Sequence, residues 1–128
     1  MATRLRAFCI SGVTLIVLAA SAYAKDMAMK GSELTALLSG GKTINLGGPG
    51  ESYSGTLTLA ADGTGNGSGK ENSGAAFTIT GTWKIKGDKF CRQWNINGNK
   101  EICETWVMVG PNKVNVMDGK KKIGVNWW

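Results

Sequence analysis

The chain has 128 residues, fifteen Lys and Arg against nine Asp and Glu, three cysteines, five tryptophans and no histidine. Without histidine there is no imidazole for proton transfer near neutral pH and none to bind a metal, which excludes catalysis and metal sites built on that side chain. A length of this order supplies one hydrophobic core and not two.

In chain order, Arg4 and Arg6 precede an apolar run from Ala7 to Ala20 and the small-x-small step Ala22-Tyr23-Ala24. That pattern predicts a secretory signal peptide, residues 1–24, cleaved after Ala24. The run is shorter than the roughly 20 residues that span a bilayer, and no later run approaches that length. The expectation is an exported protein, periplasmic or secreted and not membrane-spanning, with one domain at residues 25–128. Those 104 residues keep thirteen basic side chains against nine acidic, a net charge of +4. Such an excess suits anionic envelope surfaces and also keeps a protein soluble. Cys9 leaves with the leader, and the two remaining cysteines, Cys91 and Cys103, most simply form one disulfide in an oxidising compartment.

The first element of the mature chain is a short helix in "GSELTALLSGG", with Ser32 as N-cap, Glu33 at its positive end, Leu34, Leu37 and Leu38 on one face and Gly40 as its stop. Strand patterns follow. "TINL" alternates Ile44 and Leu46; "SYSGTLTLAADGTG" offers Leu57 and Leu59 before an Asp62-Gly63 turn. The Gly-rich stretch from Asp62 to Gly74 reads as a flexible hairpin tip. It has the front half of a calcium loop, but Ser73 stands where the bidentate Glu is needed, and no metal is expected. Asn66-Gly67-Ser68 fits a glycosylation acceptor, which matters only in a eukaryotic source. In "FTITGTWKIK", Phe77, Ile79, Gly81, Trp83 and Ile85 share one face and Thr and Lys the other. "NKVNVM" and "KKIGVNWW" close the chain, with Val114, Val116, Ile123, Val125 and Trp127 inward and Trp128 at the rim. The fold class is mainly β: an antiparallel meander of seven to eight strands that closes as a small barrel or folds as a sandwich, with one short N-terminal helix able to cap an open end. Closure hides the strand edges best.

The segment "GDKFCRQWNINGNKEIC" fixes a register. A three-residue loop Ile96-Asn97-Gly98, with Gly98 left-handed, places Cys91 directly opposite Cys103, so turn chemistry and cysteine spacing agree on a structural staple. Two cysteines without histidine make a poor zinc site, and a redox pair is more often C-x-x-C. The same register puts Phe90, Arg92, Trp94 and Ile96 on one face with Ile102, Glu104, Trp106 and Met108, and both sulfurs on the other. With the aromatic face inward, Arg92 and Glu104 are charges on a core face, costly unless paired or wet. They form either an ion pair near the barrel mouth, with the guanidinium on Trp94 or in solvent, or a polar anchor in an aromatic pocket that orients an acidic ligand. A bulge could also turn both outward. Trp83, Arg92, Trp94, Glu104 and Trp106 are the candidate ligand-binding residues, although aromatics at period two also make ordinary core.

The helix ending in Leu38 to Thr43, Asp62-Gly63, Gly81 to Trp83, Cys91 to Trp94 and Cys103 together resemble the small exported lipocalin-like (calycin-type) β-barrel proteins of alphaproteobacteria. The resemblance covers most of the mature chain and implies a lipocalin-like barrel in the cell envelope. True lipocalins carry Gly-x-Trp on their first strand, whereas Gly81-Thr82-Trp83 lies mid-chain, so no ligand site carries over. The resemblance brings no catalytic residue and no cofactor.

These readings point to a non-enzymatic binding protein whose partner is a small amphipathic ligand or an envelope protein. The alternative is a protease inhibitor or interaction module acting through "KDMAMKG". An enzyme is disfavoured because no nucleophile, base or paired-carboxylate constellation is brought together by spacing. Nucleic acid is not an expected partner for an exported chain, and the lysines read as a solvated face.

Overall fold

The computed structural model of the protein describes residues 27–128, so the expected leader and Cys9 lie outside the described residues. Helix α1 (Gly31–Leu38) is followed by strands β1 (Lys42–Gly47), β2 (Tyr53–Leu59), β3 (Thr64–Glu71), β4 (Ala76–Lys86), β5 (Lys89–Trp94), β6 (Glu101–Gly110), β7 (Lys113–Asp118) and β8 (Lys121–Trp127). Consecutive strands pair antiparallel, and β8 returns to β1 through Asn45↔Trp127 and Leu46↔Asn126, which makes a closed barrel and not a sandwich. Along β4 the alternation is as expected: Ile79 is buried, and Phe77, Trp83 and Ile85 pack on the core while the Thr and Lys positions face solvent.

Three local expectations are corrected. Residues 62–74 are not a flexible tip, because Thr64–Glu71 is a full strand paired on both sides. It lacks apolar side chains because its inward residues are Gly65, Gly67 and Gly69, and larger neighbours fill the space: a Cβ on Gly65 would lie 2.5 Å from the Trp94 ring and one on Gly69 2.5 Å from the Phe77 ring. The phase of β8 is also reversed from Gly124 onward, whereas Ile123 packs on the core as expected. A bulge at Ile123 shifts the register between Val116↔Gly124 and Met117↔Lys122, so that Gly124, Asn126 and Trp128 face inward, with the Trp128 ring tilted against Trp106 at 6.5 Å between centroids. Trp127 is 41% exposed, and Val125 is buried beneath the β1–β2 loop instead of in the main core. Helix α1, finally, is capped by Lys30 and not Ser32: the Lys30 N–H donates to Glu33 Oε1 at 3.1 Å, and the left-handed turn into β1 falls on Gly41 (φ 86°) after Gly40.

Helix α1 plugs one end of the barrel. Leu34 and Leu38 are fully buried with Ile44, Leu59 and Val114, and the Gly31 N–H donates to Asp88 Oδ1 at 2.7 Å in the β4–β5 turn. Just before the helix, the Met29 N–H donates to the Trp106 carbonyl and the Met108 N–H to the Met27 carbonyl, each at 2.8 Å. This segment supplies the ladder that β5, beginning only at Lys89, is too short to give β6. The opposite end, ringed by the β1–β2, β3–β4, β5–β6 and β7–β8 connections, is open.

Candidate functional site

The site is built on the β5–β6 hairpin. Its strands pair as Phe90↔Glu104, Cys91↔Cys103 and Arg92↔Ile102, the register expected from the turn and the cysteines. The loop is longer than three residues: a 3-10 turn over Asn95–Asn97 leads to Gly98 at φ 64° and Asn99 at φ 59°. Asn95 ties it to β4, its Oδ1 accepting from the Thr80 N–H at 2.8 Å and its Nδ2 donating to the Thr78 carbonyl at 3.0 Å. Cys91 and Cys103 are bonded, with Cα atoms 4.0 Å apart, on the strand face that also carries Lys84, Gln93 and Glu101, which cover them so that Cys91 is 1% exposed. Glu101 comes close to both sulfurs, but sulfurs joined to each other are not thiolate ligands. The half-buried Glu101 has its pKa lowered by the hydrogen bond from Lys86, at 2.7 Å.

On the inner face Trp94 and Trp106 are 3% and 0% exposed, and Phe90 sits 4.9 Å from Trp106 between ring centroids. Arg92 and Glu104 point into this aromatic interior as an ion pair, Nε to Oε2 at 2.8 Å. Arg92 Nη1 donates to Asn97 Oδ1 at 2.6 Å in the mouth loop, and Trp106 Nε1 donates to Glu104 Oε1 at 3.3 Å. Glu104 is 4% exposed; burial pushes its pKa up, and the Arg92 charge and hydrogen bonds partly offset the rise.

Beside this pair is a cavity of about 180 Å³, lined by Phe90, Trp94, Trp106, Arg92 and Glu104 from the hairpin and by Leu57, Ile79 and Val116 from other strands. It adjoins a groove of about 710 Å³ at the open end, with which it shares Leu46, Tyr53, Ile79 and Ile96. Four of the five candidate binding residues thus converge. Trp83 does not join them: it stacks on Phe90 at 5.8 Å, and its Nε1 donates to the Ala60 and Thr64 carbonyls, both at 3.1 Å, at the plugged end.

Sequence reasoning missed three polar members of the cavity. Tyr53 accepts the Val125 N–H on its hydroxyl at 3.1 Å. Asn97 holds the guanidinium from the loop. Asn126, 8% exposed, was placed outward by the assumed β8 phase and instead lines the cavity. The Tyr-x-Gly-x-Leu-x-Leu alternation of β2 was a readable signal for Tyr53; the β8 bulge left none for Asn126. Comparison with protein-family models, with curated proteins and with solved structures returns no match. The functional reading therefore comes from this geometry.

Proposed function

We propose that this is a lipocalin-like binding protein of the cell envelope, non-enzymatic, exported by the leader read at residues 1–24, that holds a small amphipathic ligand in its barrel. The carrying observation is the cavity of about 180 Å³ with aromatic walls and a hydrogen-bonded charge pair, set against a groove at the open end of a barrel plugged at the other. An apolar cavity of about 150 Å³ suffices for a benzene-sized guest, so the space fits one ring or its equivalent. Concave, mostly apolar sites with a few convergent polar groups are the usual form of small-molecule sites. The outward disulfide agrees with an oxidising compartment. The inhibitor reading draws less support, because Met27 and Met29 are bonded along β6 and Met29 is 7% exposed, which leaves little of that segment free to reach a partner.

Native mass spectrometry of the protein recovered from its own cells tests the proposal. The expected spectrum shows a non-covalent mass excess that disappears on denaturation. A bare mass, together with unchanged tryptophan emission on titration with small aromatic probes, would favour the interaction module.

A further inference from the structure

We infer that the cavity takes an uncharged ligand whose flat head presents a hydrogen-bond donor and acceptor side by side, as a primary amide does, on a short hydrocarbon tail. The inference rests on the cavity-binding reading and names the ligand class for it.

The first observation is Asn126. It is 8% exposed and lines the cavity, and while its backbone pairs in the sheet, its carboxamide makes no hydrogen bond among the described residues. Every fully enclosed side-chain nitrogen or oxygen among the described residues has a partner, so the unpartnered Asn126 amide is not fully enclosed and stays open to a small polar group. A carboxamide offers two donors and an acceptor in one plane, and its best complement is another amide edge. The second observation is Tyr53. Its oxygen already accepts the Val125 N–H, so its own hydrogen is left to donate. Gly124 leaves room for it: a Cβ there would lie 2.5 Å from the hydroxyl.

Charge decides between head groups. Arg92 and Glu104 already answer each other, Arg92 donates further to Asn97 Oδ1, and Glu104 accepts from Trp106 Nε1. A carboxylate head would lose its hydration beside Glu104, with Asp118 adding negative charge on that side, and would have to take Arg92 from its partner. An ammonium would face Arg92. A neutral amide meets Asn126 and Tyr53 without disturbing the pair. The tail then leaves along Ile79 and Leu46 into the groove, where Phe77 and Ile96 line the way and Ile96 is 52% exposed.

Four probes with one tail test this by calorimetry at pH 7: 4-butylbenzamide, 4-butylbenzoate, 4-butylbenzylammonium and butylbenzene. The benzamide is expected to bind about tenfold or more tightly than each of the others. Asn126→Leu, which keeps the volume, should reduce the benzamide to the affinity of butylbenzene and leave butylbenzene itself unchanged. If all four bind the native protein alike, or a charged probe binds best, the head-group inference falls and cavity binding stands. If none binds, both fall. The comparison on the native protein decides the inference even if the variant does not fold.

Discussion

At residue scale the electrostatics turn on Glu104, the one buried charged residue among those described. Its pKa lies above the ordinary 4.5 because burial removes hydration faster than Arg92 and Trp106 replace it. Between the unfolded and folded values the native state binds more protons, so this group's contribution to stability is complete below about 4.5 and declines as pH rises through the folded value. Removing the guanidinium in Arg92→Met raises the folded value further and extends the decline to higher pH. Urea unfolding should show that Arg92→Met costs about 3 kcal/mol at pH 8 and much less at pH 4.5, because a protonated Glu104 no longer needs its partner. An equal loss at both pH values would mean that Glu104 is not ionised in the native protein. The half-buried Glu101 and the exposed Asp62 behave oppositely, their pKa values lowered by Lys86 and by Thr64, so their contributions are present above the ordinary carboxylate range and are lost as pH falls.

At element scale the β5–β6 hairpin separates stability from binding, since the sulfurs face out and the candidate site faces in. Replacing both Cys91 and Cys103 by Ser should lower unfolding free energy by about 3 kcal/mol through the short loop that the bond closes. Probe affinity should stay unchanged, and a parallel loss would mean that the staple also shapes the cavity. Strand β3 gives the complementary case. Gly65→Ala puts a methyl 2.5 Å from the Trp94 ring, and overpacking of this kind costs about 1–3 kcal/mol, whereas Gly40→Ala, with nothing within 4 Å, should be near neutral. Denaturant curves of the two variants check the contrast. These two elements also mark what was legible in the sequence. The hairpin register was readable because turn and cysteine spacing gave the same answer, and four of five proposed site residues followed from it. Strand β3 was not, because its inward positions hold no side chains and hydrophobic alternation cannot register an absence; the signal was Gly at 63, 65, 67 and 69 with polar residues between. In β8 one bulged residue reversed every later side chain, and with them Asn126, since side-chain direction in a strand depends only on odd or even position.

At the scale of the whole molecule, closure rests on a thin seam. Strand β1 pairs with β2 through six residue pairs but with β8 through two. Beyond them β1 turns away at Gly47 and Gly48 (φ 61° and 112°), and side chains replace the ladder: Trp127 Nε1 donates to the Gly47 carbonyl at 3.0 Å, Lys122 meets Glu51 at 3.0 Å, and the Val125 N–H donates to the Tyr53 hydroxyl at 3.1 Å. Leu46, Tyr53, Gly124 and Asn126, all cavity residues, lie along this seam, so the weakest join of the barrel is also a wall of the proposed site. Tyr53→Phe removes the acceptor without changing the ring, and the Val125 amide should then exchange with solvent on the order of tenfold faster. Amides in the β6–β7 ladder should keep their rates. Hydrogen exchange followed by NMR resolves the two sets: selective acceleration at Val125 means that the phenol holds the seam, whereas a uniform change means that the barrel opens as one unit. Ligand should slow Val125 exchange in the native protein if the head group engages Tyr53, because a hydroxyl fixed at both ends holds the join that its backbone cannot.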